Sequence, residues 1–196
     1  VRLILVTAPT MEPVTLVEAR LQCRVDAVGS PAASALDALL ERYVSAAVAH
    51  LDGPFGYIGR ALVTQTWDLK LDSFPAEIVI PMPPLQSVDS LSYIDPDGET
   101  VTLSAESPLI YQIVTDTRRR ARIVPAYGES WPTARDVPDA VTVRFTCGWR
   151  HDDSPQEPVP ESIRNALLLM VEDLFDGKES RRAAWQALLA PYRIYE

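Results

Sequence analysis

The chain has 196 residues, 47% of them hydrophobic and 23% charged, which excludes wholesale disorder and leaves room for one domain with a core and a sizeable insertion. Its formal net charge of −9 argues against tight nucleic-acid binding, because phosphate affinity comes mainly from Lys and Arg. The 17 prolines predict short elements joined by ordered connections.

The apolar run Leu3–Val6 is too short for the core of a signal peptide, and no stretch approaches the ~20 apolar residues of a membrane span. The expectation is a soluble protein made in a cytoplasm. Cys23 and Cys147 match no metal-ligand spacing. Free thiols are the simpler reading, with a single disulfide left open.

The first helix is predicted to start at Thr15. Thr15 and Glu18 have the spacing of a capping box, in which hydroxyl and carboxylate each accept from a free backbone N–H. Leu16, Ala19 and Leu21 carry its apolar face to about Val25, and Gly29-Ser30-Pro31 reads as a loop. Ser34 is the predicted cap of a second helix. Leu36, Leu39, Leu40, Tyr43, Val44, Ala47 and Leu51 mark one buried face, and Asp52-Gly53-Pro54 ends it.

Between residues 62 and 149 the apolar period changes to two. Trp67, Leu69 and Leu71 alternate with Asp68, Lys70 and Asp72, the pattern of a half-buried strand. Further strands are predicted at Ile78–Ile80, Val88–Ile94, Val101–Leu103, Tyr111–Val114, Ala121–Val124 and Ala140–Phe145. Asp95-Pro96-Asp97-Gly98 is a turn between two of them. After the proline-rich link 154–160, Ile163, Leu167, Met170, Val171 and Leu174 form a helical stripe that Gly177 closes. Ser180 is expected to cap a last helix carrying Trp185, Leu188 and Leu189, and Pro191 to end it.

The predicted fold class is therefore α+β. Residues 1–61 and 151–196 supply N-terminal and C-terminal helix pairs that pack into one bundle, because neither pair buries its stripe alone. Residues 62–150 form an inserted antiparallel β-rich region.

Chemistry-bearing groups are sparse. His50 closes the second helix, where a histidine suits the helix dipole. His151-Asp152-Asp153 with Glu157 offers cation ligands, or a general base for a small hydrolase, but reads more simply as a polar loop. Neither cysteine sits in a context that activates a thiolate. Gly53, Gly56 and Gly59 follow a helix and no strand, so they are turn residues and not a phosphate loop. No catalytic residue, metal or cofactor is expected.

Two features suit partners instead. Arg118, Arg119, Arg120 and Arg122 form the one dense basic run, which touches DNA phosphates or an acidic partner, or is a solvated hairpin tip. Pro191, Tyr192, Arg193, Ile194 and Tyr195 form an aromatic terminal segment that docks on a partner or folds back on its own domain.

An ordered set of segments resembles the head–tail connector (adaptor) proteins of tailed phages and gene transfer agents. It runs through Pro13-Val14-Thr15-Leu16-Val17-Glu18-Ala19, Arg24-Val25-Asp26 and the stretch Gly59–Trp67. Pro83-Pro84-Leu85-Gln86-Ser87-Val88, Tyr93, Asp97-Gly98 and Trp131-Pro132 follow, then the strand Val141–Gly148. Val159-Pro160-Glu161 and Leu188–Arg193 complete it. Cys147 and Trp149 depart from the small residue and Tyr expected there, conservatively in shape.

The resemblance implies a structural role without a reaction. It implies a ring of about twelve copies with a heterologous interface, lying between the portal protein and the next neck or tail protein and extending the DNA channel. DNA would pass an acidic lumen without specific binding. Pro191–Tyr195 would grip the portal, the helices would form the ring body, and the β region would face outward or toward the tail. The protein would assemble in the host cytoplasm and end in the neck of the particle. A stopper or tail-completion protein, a transient assembly chaperone and the small hydrolase are the rival readings.

Overall fold

Eight strands and four helices follow one another in the computed structural model, which describes residues 1–25, 31–104, 110–115, 119–150 and 158–194. They group into two compact units: Val1–Pro9 with Thr64–Gly148, and Thr10–Val63 with Trp149–Glu196. The fold is α+β, with four helices and antiparallel sheets.

The helical unit begins with α1 (Leu16–Gln22), capped as its sequence predicts. The Thr15 hydroxyl accepts from the Glu18 N–H at 3.2 Å, and Glu18 accepts from the Thr15 N–H at 2.7 Å. α2 spans Pro31–Leu51. It starts earlier than a Ser34 cap would place it, because proline suits a first helical position, where an N–H would be unpaired anyway. At its far end Gly53 takes φ +84°, and the Asp52 carboxylate accepts from the Leu62 N–H at 2.6 Å.

α3 (Glu161–Asp176) closes on Gly177 in the left-handed conformation, and α4 (Arg182–Leu189) follows. Ser180 does not cap α4. The Asp173 carboxylate, from α3, takes that role by accepting from the Arg181 N–H at 3.1 Å. α4 does end ahead of Pro191: the α-helix stops at Leu189, and residues 190–192 form one 3-10 turn before Arg193 becomes extended. Leu40, Val44, Ala47, Leu51, Ile163, Leu167, Val171, Trp185 and Leu189 meet in the core of this unit.

The other unit holds two sheets. The larger has the order β1-β2-β8-β4-β5, from Arg2–Thr7, Gln65–Leu71, Val141–Cys147, Leu85–Ile94 and Thr100–Leu103, every pair antiparallel. The smaller has the order β3-β7-β6, from Ile78–Val79, Arg122–Pro125 and Tyr111–Val114. β8 is the middle strand of the larger sheet, and Val141, Val143, Phe145 and Cys147 on one of its faces are fully buried.

The expectation that residues 1–61 are helical fails for its first nine. Arg2–Thr7 pair with β2 as an edge strand, with Leu3 opposite Leu69 and Leu5 opposite Trp67. An edge strand is half solvated on both faces, so its apolar run shows neither alternation nor length, the two signs by which a strand is read.

Candidate interaction surfaces

The C-terminal segment is placed by α4, which buries Trp185 and Leu189 and delivers the 3-10 turn to the loop 57–60. The Tyr192 carbonyl accepts from Arg60 Nε, and the Tyr192 ring meets Trp149 edge-on with centroids 6.4 Å apart. The Arg193 guanidinium lies 4.6 Å from the centre of the Tyr57 ring, and the Ile194 N–H donates to the Ile58 carbonyl at 3.0 Å. The segment from Pro191 to Ile194 thus folds back on its own unit. Tyr195 lies outside the described residues.

Arg60 is the polar residue at the centre of this contact and is only 3% exposed. Its guanidinium also sits 5.9 Å from the centre of the Trp149 ring. A buried guanidinium needs acceptors or a ring face to replace water. No sequence signal marks Arg60, because a lone Arg in a glycine-rich loop looks solvated.

The basic run is at the connection from β6 to β7. Arg122 forms an ion pair with Glu77, Nη1 to Oε2 at 3.0 Å, so its charge is matched within the sheet unit. Arg119 is exposed and Arg120 half-buried, while Arg118 lies outside the described residues.

His50 stacks on Tyr57 with centroids 5.8 Å apart and meets Trp185 edge-on at 6.0 Å. His151, Asp152, Asp153 and Glu157 lie outside the described residues. Among the described residues no group of His, Cys, Asp and Glu is arranged to hold a metal ion. Burial pushes the Cys23 thiol up to about 11, helped by the charges of Glu172 and Asp176, so it stays protonated and weakly nucleophilic. Cys147 is buried. Among the described residues no helix is long and apolar enough to cross a membrane.

Two grooves open on α2. One, of about 360 Å³, is apolar and lined by Ala47, His50, Met170, Leu174 and Trp185. The other, of about 560 Å³, is lined by Met11, Glu12, Leu16, Glu41, Val44 and Ser45. At about 100° per residue, His50 points opposite to Glu41, so the grooves open on different sides of the helix, with Val44 and Ala47 adjacent on the buried face between them.

The larger sheet has a polar face that alternation predicts strand by strand but does not assemble. Arg144 donates to Asp68 from Nε at 2.8 Å and from Nη2 at 3.0 Å. Lys70 donates to the Thr142 hydroxyl at 2.8 Å, and Thr146 to Asp89 at 2.8 Å. The Arg144 guanidinium holds the Asp68 carboxyl below its ordinary range. Charges of both signs are neutralised here, so the face selects no ion.

No protein-family model and no curated protein sequence matches the chain. Solved structures do. A chain from the neck of an empty gene transfer agent particle, computed with C6 symmetry, matches with a TM-score of 0.78 at 23% identity. A chain from the virion of a native gene transfer agent particle matches with a TM-score of 0.73 at 23% identity. A chain from the neck of a native particle computed with C12 symmetry matches with a TM-score of 0.68 at 21% identity. Each match covers 100% of this chain and 97% of the other, so both units and their order in sequence belong to the shared fold.

Proposed function

We propose that the chain is a head–tail connector (adaptor) subunit, a structural component that forms a ring between the portal and the tail of a phage-like particle or gene transfer agent. The observation that carries this reading is the likeness in fold, over the whole chain, to chains of gene transfer agent necks. The ordered segments from Pro13 to Arg193 support it independently.

The role is non-catalytic in this reading. Copies associate in a ring, with twelve as the expected number by resemblance, and the ring extends the DNA channel. A net charge of −9 favours passage of DNA over adhesion. A stopper or tail-completion role is disfavoured by the helix pairs α1–α2 and α3–α4 that flank the sheets, since a stopper is expected to be strand-dominated.

Pro191–Tyr195 is the proposed grip on the portal. It now rests on Tyr57, Ile58 and Arg60 of its own unit, contacts that an exchange onto the portal would release. The other face of the ring meets the next neck or tail protein.

Light scattering of the purified protein, alone and with its cognate portal, tests the proposal. Addition of about one chain per portal subunit is expected. A stable monomer or dimer that ignores the portal would overturn it.

A further inference from the structure

We infer that the larger sheet continues from one copy to the next, the outer edge of β5 in one copy pairing in parallel with β1 of its neighbour. The occupant of each edge is a second copy of this chain, and the inference rests on the ring reading above.

Both ends of this sheet are open among the described residues: β1 and β5 are its terminal strands. An open edge is a row of unpaired backbone donors and acceptors, and monomeric proteins blunt it with lysine, proline or inward-pointing charge. Beyond Arg2, which is paired with Asp139, the residues Leu3–Thr7 of β1 contain no charge and no proline, and neither do the four residues of β5, although β1 carries a register shift between Leu5 and Thr7.

Side chains at the edges are also unfinished. Leu3, Leu69, Val143, Leu91 and Leu103 form one row across the apolar face, by the pairing of their strands. At the β1 end of that face Leu5 is 45% exposed, and Ile4, on the opposite face beside Asp68, is 37% exposed.

The direction of the strands decides how copies meet. All four pairings are antiparallel, so β1 and β5 run the same way. In a ring of many copies each is rotated only slightly from its neighbour, so β5 meets β1 in parallel. Faces match only for even shifts of register. Of the two even shifts that overlap all of β5, the one that sets apolar beside apolar places Thr100 beside Arg2, Val101 beside Leu3, Thr102 beside Ile4 and Leu103 beside Leu5. Apolar residues then continue the apolar face. The exposed Glu99 falls one residue from Arg2, whose guanidinium already pairs with Asp139 of its own chain.

The test is cross-linking of rings assembled on the portal, using Ile4→Cys and Thr102→Cys, both exposed positions on the polar face. Within one chain these lie at opposite edges of five strands, about 19 Å apart at the spacing of strands, beyond reach of a disulfide. The double variant is expected to oxidise to a ladder of covalent oligomers. A mixture of the two single variants should give dimers only, and Ile4→Cys alone none. Cross-linking of Ile4→Cys alone would overturn the inference in favour of a two-fold β1–β1 contact. Rings that assemble without a cross-link would overturn it and leave the connector function standing. Failure to assemble, with no cross-link, would overturn both.

Discussion

Asp68 and Arg144 face each other across β2 and β8 in a two-pronged ion pair, the Asp68 side chain 11% exposed and that of Arg144 47%. The asymmetry sets the cost of breaking it. With Asp68 removed, Arg144 is still able to reach water, so Asp68→Asn is expected to cost about 1 kcal/mol, below the value for a fully buried pair. The pair also predicts a pH dependence. Arg144 lowers the folded carboxyl below its unfolded value, so the stabilisation is complete above the ordinary carboxylate range and is lost as pH falls through the depressed value. Urea unfolding at neutral and strongly acidic pH should show a difference between wild type and Asp68→Asn at the first and almost none at the second.

Two nearby glycines separate clash from strain. A Cβ on Gly56 would lie 2.2 Å from the Leu51 carbonyl oxygen, a backbone atom that closes α2. A Cβ on Gly53 would meet nothing within 4 Å, but its φ of +84° is costly for any other residue. Gly53→Ala should cost about 1 kcal/mol, and Gly53→Asn less, since Asn tolerates this region better. Gly56→Ala should cost more than about 2 kcal/mol or prevent folding. Thermal unfolding of the three variants is the measurement.

Glu18 links two helices. It completes the cap of α1 and forms an ion pair with Arg164 on α3, which also pairs with Glu161 at 2.9 Å. Thr15→Ala removes both bonds of the hydroxyl, the one accepted from the Glu18 N–H and the one donated to the Glu18 carboxylate at 2.8 Å, and should cost about 1 kcal/mol. Glu18→Ala removes the cap and the contact between helices, and should cost more. A double-mutant cycle with Arg164→Ala checks this: coupling is expected between 18 and 164 and should be smaller between 15 and 164, which meet only through the shared Glu18 carboxylate.

Legibility of the fold follows which physical signal each element sends. The Thr15–Glu18 cap and the left-handed Gly177 cap are local events, and their residues announce them. β6 is read to its ends, Tyr111–Val114. Cap assignments at Ser34 and Ser180 fail because the actual determinants, a proline at the start of α2 and Asp173 from a neighbouring helix, compete with the nearest serine. Division of the strands into two sheets depends on which strands pair, and alternation carries no such information. Arg60 and the Asp68–Arg144 pair are invisible for the same reason: burial of a charge is a property of its spatial neighbours.

The C-terminal segment is where stability and assembly are expected to part. Arg193 rests on the Tyr57 ring at the surface, and such a contact contributes about 0.5–1 kcal/mol. Tyr192 is half-buried against Trp149, so its loss costs somewhat more. If the segment serves only its own unit, Arg193→Ala and Tyr192→Ala should reduce stability by these amounts and leave portal binding unchanged once each variant is folded. If it exchanges onto the portal, as proposed, Tyr192→Ala should weaken co-sedimentation with portal rings at least tenfold, equivalent to ~1.4 kcal/mol or more, in folded protein. Measuring unfolding and portal binding on the same preparations distinguishes the two. A loss of stability with portal binding unchanged would assign the segment to the fold, and a loss of binding larger than the loss of stability would assign it to the joint.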